Sequence, residues 1–176
     1  KYIEKDKYFG GVINNRYYAE KDGKRYRANS WETVGYPEWN DIDTDFLDTT
    51  FVSIINEANK KPTDLIRVLF QSINGDLDFK LKLDETKLYL INGVVYNSNE
   101  AGNFMWAYFL ESKGFSGYFS GLLAQGGTLF DTFLDKEKQT RLDEEWDRRA
   151  RWAGIKYYYE KNGMLWKYYY LYWNKL

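Results

Sequence analysis

Asn92-Gly93 stands between two short apolar runs, residues 87–91 and 94–96. A two-residue Asn-Gly turn flanked in this way is the strongest short-range hairpin signal, because both residues tolerate the positive φ that a tight reversal needs. The hairpin delivers the backbone to Asn99-Glu100-Ala101-Gly102-Asn103-Phe104. There a carboxylate, a glycine and an amide precede an apolar helical run through Phe104, Ala107, Tyr108 and Glu111 to about Ser112. Polar groups massed at a helix entrance meet its free N–H groups and its positive end. The plain reading makes Asn99 or Asn103 an N-cap. The alternative is an entrance that holds one reacting or binding group in fixed geometry.

Upstream of the hairpin, Leu77, Phe79, Leu81 and Leu83 alternate with Asp76, Asp78, Lys80 and Lys82. That period predicts a strand over 76–83, with Asp78 beside Lys80 on its polar face, and a three-stranded antiparallel meander. Two helices precede it. One covers 45–60, with Leu47, Phe51, Ile54, Ile55 and Ala58 as its apolar stripe. Pro62 breaks it, and Thr63-Asp64 opens a second helix through Leu65, Ile66, Leu69, Phe70 and Ile73, ended by Asn74-Gly75. Nearer the N-terminus, residues 16–27 read as a hairpin about Asp22-Gly23, and 30–40 as a loop holding Trp31 and Trp39.

After the central helix, Gly114 caps and Ser116 opens a helical segment containing Leu122 and Leu123, interrupted by Gln125-Gly126-Gly127. Residues 128–136 form a short predicted helix with Leu129, Phe130 and Phe133 inward. The last and longest helix is predicted over 143–162, acidic in its first turn, with Trp146, Ala150, Ala153 and Tyr157 as a stripe and Gly163 as its close. The terminal stretch carries Trp166, Tyr168, Tyr169, Tyr170, Tyr172 and Trp173, too much apolar area for a free tail. It is expected to pack on the N-terminal hairpin. As a helix it would set Trp166, Tyr169, Tyr170 and Trp173 on one face, and as a strand it would pair Trp166 with Tyr168, Tyr170 and Tyr172; the alternative to packing is a surface covered by a partner. The reading is an α+β protein: a mainly helical core with a small antiparallel meander and an N-terminal β-hairpin arm. It divides into a β-rich arm (1–40), a core (41–163) and an aromatic C-terminal segment (164–176).

Composition narrows the chemistry. The chain has no His and no Cys, which excludes His-assisted nucleophiles, thiolate catalysis and His- or Cys-ligated zinc. Acid–base work falls to Asp, Glu, Lys or Tyr. A bound ion would have only oxygen ligands and would be Mg²⁺, Mn²⁺ or Ca²⁺. A net charge of −1 gives no overall field for gathering nucleic acid. The 17 Tyr and 7 Trp suit a core, an interface or a platform for sugars and bases. No run approaches the roughly 20 apolar residues of a membrane span, and none resembles a signal peptide. The first residue is not Met, so a fragment or processed domain is expected.

Three polar clusters stand out: Asp78 with Lys80, Glu100 with Asn103, and Asp143 with Asp147 beside Arg148, Arg149 and Arg151. Asp143 and Asp147 share a helical face. Each cluster has a plain explanation as an ion pair, a cap or a charged helix start. Convergence on one cleft would make them a site, and Glu100 and Asp78 are expected to face that cleft together.

Residues 51–159 also carry, in order, Asn74-Gly75-Asp76-Leu77-Asp78-Phe79-Lys80, a Glu-x-Gly-Asn-Phe stretch at Glu100, Gly114-Phe115, Leu122-Leu123-Ala124-Gln125-Gly126, and an acidic stretch leading to Ala153-Gly154-Ile155-Lys156-Tyr157-Tyr158. This series resembles the bacterial polymorphic toxin type 44 domain. The resemblance implies a C-terminal toxin domain of a secreted antibacterial effector, delivered into a target bacterial cell and neutralised by a cognate immunity protein. The substrate would be a bacterial macromolecule, and the domain a monomer. One functional reading is a hydrolase cleaving peptidoglycan glycan without a cofactor, with Glu100 as acid and Asp78 or Asp143 as partner. Another is a nuclease, using Mg²⁺ held by Asp78, Asp143 or Asp147, or Lys80 with arginines in place of metal. A third is a non-enzymatic binding module.

Overall fold

Left-handed turns lay out the sheet. Asn14-Asn15, Asp22-Gly23 and Asn92-Gly93 all have φ between +49° and +79°, the backbone that a two-residue hairpin turn requires. The computed structural model describes residues 2–5, 8–35, 41–115 and 145–172. Strands β1 (Tyr2–Lys5), β2 (Tyr8–Ile13), β3 (Arg16–Lys21) and β4 (Lys24–Ala28) run antiparallel in sequence. Helix α1 (Trp31–Gly35) and strand β5 (Ile42–Asp43) follow. Strands β6 (Leu88–Ile91) and β7 (Val94–Tyr96) make the Asn92-Gly93 hairpin, as its sequence requires.

The sheet is mixed. β4 pairs parallel with β7, Arg27 opposite Val94 and Ala28 opposite Val95, and β5 pairs parallel with β6. The order is β1-β2-β3-β4-β7-β6-β5. The architecture is α+β with a helical core, as expected, but the sheet is larger than a meander. Strands expected to stand off as an arm continue it.

Helices α2 (Thr50–Asn59) and α3 (Leu65–Gln71) occupy the predicted places. α2 buries Phe51, Ile55 and Ala58. α3 differs from its expected packing: only Val68 is buried, while Leu65, Ile66, Leu69, Phe70 and Ile73 are exposed. Its position is set instead by polar contacts. Asp64 caps Arg67 N, and the Arg67 guanidinium donates to the carbonyls of Ala58, Lys61 and Pro62 and to Asp76 Oδ2. Burial works against charge on Asp76, but Lys61 and Arg67 together hold its carboxyl below the usual range.

The strand expected over 76–83 is a 3₁₀ turn, Phe79–Lys82. Asn74 takes φ +54°, and Leu77 N reaches back to Gln71 O. Asp78 N donates to Gly75 O, and Leu81 N to Asp78 O. These local bonds consume donors that a strand would offer a neighbour. Alternation still shows in burial at Leu77, Phe79 and Leu83, while Leu81 is exposed. The period told which side chains were apolar, while the backbone of the segment bonded locally instead of to a strand.

Helix α4 (Ser98–Ser112) runs through the middle, with Ala101, Phe104, Met105, Ala107, Phe109 and Leu110 all inaccessible. A helix buried all round must be met by backbone somewhere, and two glycines allow it. A Cβ on Gly102 would lie 2.7 Å from Lys80 N, and one on Gly154 only 2.1 Å from Phe104 O. Gly154 belongs to helix α5 (Glu145–Lys161), which packs along α4. Phe51 of α2 meets Phe104 edge-on, and Trp106 Nε1 donates to Ser72 Oγ beyond α3.

Gly163 (φ +67°) ends α5, and helix α6 (Leu165–Tyr172) turns back against it. The described part of the aromatic tail is therefore helical and packs on α4 and α5, whereas the N-terminal hairpin was the expected support. A link this short makes consecutive helices neighbours. Its buried side chains are Tyr168 and Tyr172, clustered with Ala107, Ile155 and Tyr159. The face expected to be apolar is open: Trp166 and Tyr170 lie outward. Trp166→Ala and Tyr170→Ala should each change stability by less than about 0.5 kcal/mol. Tyr172→Phe removes a buried hydrogen bond to Glu111 and should cost about 1–2 kcal/mol. Urea denaturation of the three variants checks the assignment of faces.

Candidate functional site

The entrance of α4 is closed by a capping box. Asn97 precedes the helix, its side chain accepts from Glu100 N at 2.9 Å, and Glu100 Oε2 accepts from Asn97 N at 3.0 Å. The cap is Asn97 in place of Asn99 or Asn103; the Asn97-x-x-Glu100 spacing carries that signal. Glu100 is also 1% exposed. Thr33 Oγ1, from α1, donates to Oε2 at 2.9 Å. Among the described residues Oε1 has no donor in bonding geometry, although Ser30 and Asn29 lie near enough to ease its charge. Burial pushes the Glu100 carboxyl above its usual range, and the groups of Ser30, Asn97, Thr33 and Asn29 pull it part of the way back. Burial and the Glu100 charge raise the Tyr96 hydroxyl as well.

Parallel pairing of β4 with β7 assembles this network. It carries Asn29, and Ser30 and Thr33 of the expected loop, all buried, to the foot of α4. Asn29 N donates to Val95 O, and Asn29 Nδ2 to Trp146 O at 2.9 Å. That second bond ties α1's approach to the start of α5. Trp146 is half-buried and meets Trp31 edge-on at 6.3 Å, with Trp31 half exposed. Next to Trp146, Asp147 Oδ1 accepts from Asn103 Nδ2 at 2.8 Å. Asn103 stands one helical turn beyond Glu100 on the same side of α4.

The structure thus joins Asn103 to Asp147 and sets both beside the buried Glu100 network. It does not bring in Asp78 and Lys80. Gly102 abuts the Lys80 backbone, and it lies about 200° around the helix from Glu100. Glu100 turns to α1 while the 3₁₀ turn packs on the Gly102 face, and among the described contacts none joins Glu100 to Asp78. Asp78 is 6% exposed, accepts from Asn74 N at 3.0 Å, and has Lys80 Nζ at 3.8 Å. It ties its turn to the end of α3.

Nothing matches the chain in comparisons with protein-family models, curated proteins or solved structures. Asp143 lies outside the described residues, as do the predicted segments around Leu122 and 128–136. Among the described residues no three carboxylates gather to hold a metal ion, and no helix is long and apolar enough to cross a membrane. Of the arginines grouped with Asp147 in the sequence, Arg149 pairs with Glu145 and Arg151 is buried. Trp31, Asn29, Ser30 and Thr33 carried no local signal of a site, since their role depends on a strand pairing across more than sixty residues of chain.

What remains accessible is a small surface: the Trp31 ring, the partly buried Trp146, and the Asp147–Asn103 pair. It rests on a fully buried polar layer. A carboxylate with a fixed amide beside exposed indole suits a polar ligand with an apolar face.

Proposed function

We propose that this chain is the toxin domain of a secreted interbacterial effector, and that its site works on the glycan strands of peptidoglycan. In this reading the Trp31–Trp146 pair supports a sugar ring, Asp147 is the reacting carboxylate, and Asn103 orients it. Glu100 does not meet the sugar. It is a positioning residue, because at 1% exposure it reaches only Thr33, Asn97 and their neighbours. The observation that carries the reading is the half-exposed Trp31 set against Trp146, with an amide-held carboxylate in the next residue. Absence of His from the chain leaves carboxylates as the natural acid–base groups. The motif series running from Asn74 to Tyr158 supports the toxin assignment, with an immunity protein as its partner in the producing cell.

The test is release of soluble fragments from purified peptidoglycan by the isolated chain. Asp147→Asn should reduce release by roughly a hundredfold or more, the scale of one general acid–base group, with an unchanged melting temperature. Expression directed to the periplasm should kill, and cytoplasmic expression should not. Killing confined to the cytoplasm would overturn the glycan reading in favour of the nuclease. Binding of glycan without release, in the wild-type chain, would make this a binding module.

A further inference from the structure

Helix α3 carries its apolar face outward. Leu65, Ile66, Leu69 and Phe70 recur at helical spacing, and Ile73 follows just beyond the last turn. All five are exposed, Phe70 by 73% and Ile66 by 67%. Val68, on the other side, is the residue that the core receives. The helix is fixed without its outward face. Asp64 caps it, and the Arg67 guanidinium holds it to the carbonyls of Ala58, Lys61 and Pro62 and to Asp76. At its C-terminal end Ser72 Oγ accepts from Trp106 Nε1. These polar bonds set the five apolar side chains in a fixed array, and none of the bonds needs them.

The exposed parts of the five amount to about 500 Å² of apolar surface, as much as a monomer ordinarily leaves in water. Two such faces laid together would cover about 1,000 Å², the size at which a specific interface begins. The border of the face is electrically balanced. Lys60 pairs with Glu57 and Lys61 with Asp76, and Asp64 is engaged at the cap. Lys82, near Glu57, adds one positive charge. A highly charged partner would find no complementary field there, while a second copy would meet little repulsion.

We propose that this face joins a second copy of the chain, with the two α3 helices packed antiparallel about a two-fold axis near Leu69. Leu65 then lies toward the partner's Ile73, and Ile66 toward the partner's Phe70, so one patch supplies both sides of the contact. A dimer replaces the monomer expected from the sequence resemblance. It does not depend on the function assigned to the Trp31–Asp147 surface.

Sedimentation equilibrium of the whole chain tests it. A monomer–dimer equilibrium with a Kd of roughly 1–100 μM is expected for an interface of this size. Phe70→Glu sets like charges across the axis and should weaken dimerisation at least a hundredfold, with the melting temperature of the dilute chain unchanged. Tyr170→Glu, on the outward side of α6, is the control and should leave the equilibrium as it is. Because the chain has no cysteine, Leu69→Cys gives a second measurement. Oxidation should join two copies through one disulfide, whereas Tyr170→Cys should stay single. A parent chain that remains monomeric leaves the face to a different protein and overturns the proposal. So does a dimer that survives Phe70→Glu, or one that Tyr170→Glu disrupts equally. A fall of the melting temperature in a monomeric Phe70→Glu chain would show the face to be covered within the chain itself, which also overturns it. If Phe70→Glu fails to fold, Leu69→Cys decides, and absence of the cross-linked dimer there is equally fatal.

Discussion

Replacing Gly154 with Ala should lower the melting temperature by about 6–12 °C. The added methyl would lie 2.1 Å from the Phe104 carbonyl oxygen and 3.0 Å from its carbon. Both are backbone atoms within α4, so no side chain can swing aside. The helices must separate along the most extensively packed pair among the described elements. Overpacking of this kind costs about 1–3 kcal/mol and more where the backbone itself must move. Alanine's better helix propensity returns about 1 kcal/mol at most. With the gross cost at about 4 kcal/mol because both struck atoms are backbone, the net loss is about 3 kcal/mol, which at about 2–4 °C per kcal/mol for a domain of this size gives the stated shift. Lys156→Ala, exposed on the same helix, is the control and should stay within about 0.5 kcal/mol. A Gly154→Ala variant melting within 2 °C of the parent would mean that α4 and α5 do not approach as closely as described.

Glu100 should show two separable effects. Glu100→Ala removes the capping-box acceptor and leaves Asn97 N and Thr33 Oγ1 without their partner inside the fold. Loss of the capping-box bond from Asn97 N costs about 1 kcal/mol and the orphaned Thr33 hydroxyl about 1–3 kcal/mol, so a total of about 2–4 kcal/mol is expected in urea denaturation. Glu100→Gln keeps a carbonyl for both donors and should lose much less. The pH dependence separates charge from shape. Because burial raises the Glu100 pKa in the fold, the folded state holds this proton more strongly than the unfolded chain. Its contribution is fully present below the unfolded value near 4.5. It is lost as pH rises through the raised folded value, since there the unfolded chain binds fewer protons. Stability of the parent relative to Glu100→Gln should therefore fall across that window and level off above it. A difference between the two that stays flat from pH 4 to 8 would show that the carboxyl is not perturbed.

Local chemistry decided what local chemistry can decide. Asn92-Gly93 and Asp22-Gly23 impose left-handed turns whatever surrounds them, so both hairpins were legible. Pro62 and Asp64 bound α3, Gly163 ends α5, and the run after Glu100 is the central helix. The close spacing of Glu100 with Asn103, and of the acidic residues at the start of the last helix, marked two polar groups worth following. Asn103 and Asp147 do meet.

The sequence by itself determined where the chain turns, which segments coil, and that carboxylates and aromatics must carry any chemistry in a chain without His or Cys. Only the tertiary structure decided how these parts face one another. The parallel β4–β7 pairing brought Asn29, Ser30 and Thr33 beneath Glu100, and such pairing depends on the whole sheet. Backbone bonds to α3 made a 3₁₀ turn of an alternating segment, because an alternating pattern forms a strand only where an edge is free to pair. The contact of Gly102 with Lys80 packed the 3₁₀ turn on another face of α4 than the one Glu100 turns to α1. The tail packed through Tyr168 and Tyr172. When nearly every residue in a segment is aromatic, periodicity alone cannot choose its buried face, and the surface waiting on α4 and α5 makes the choice.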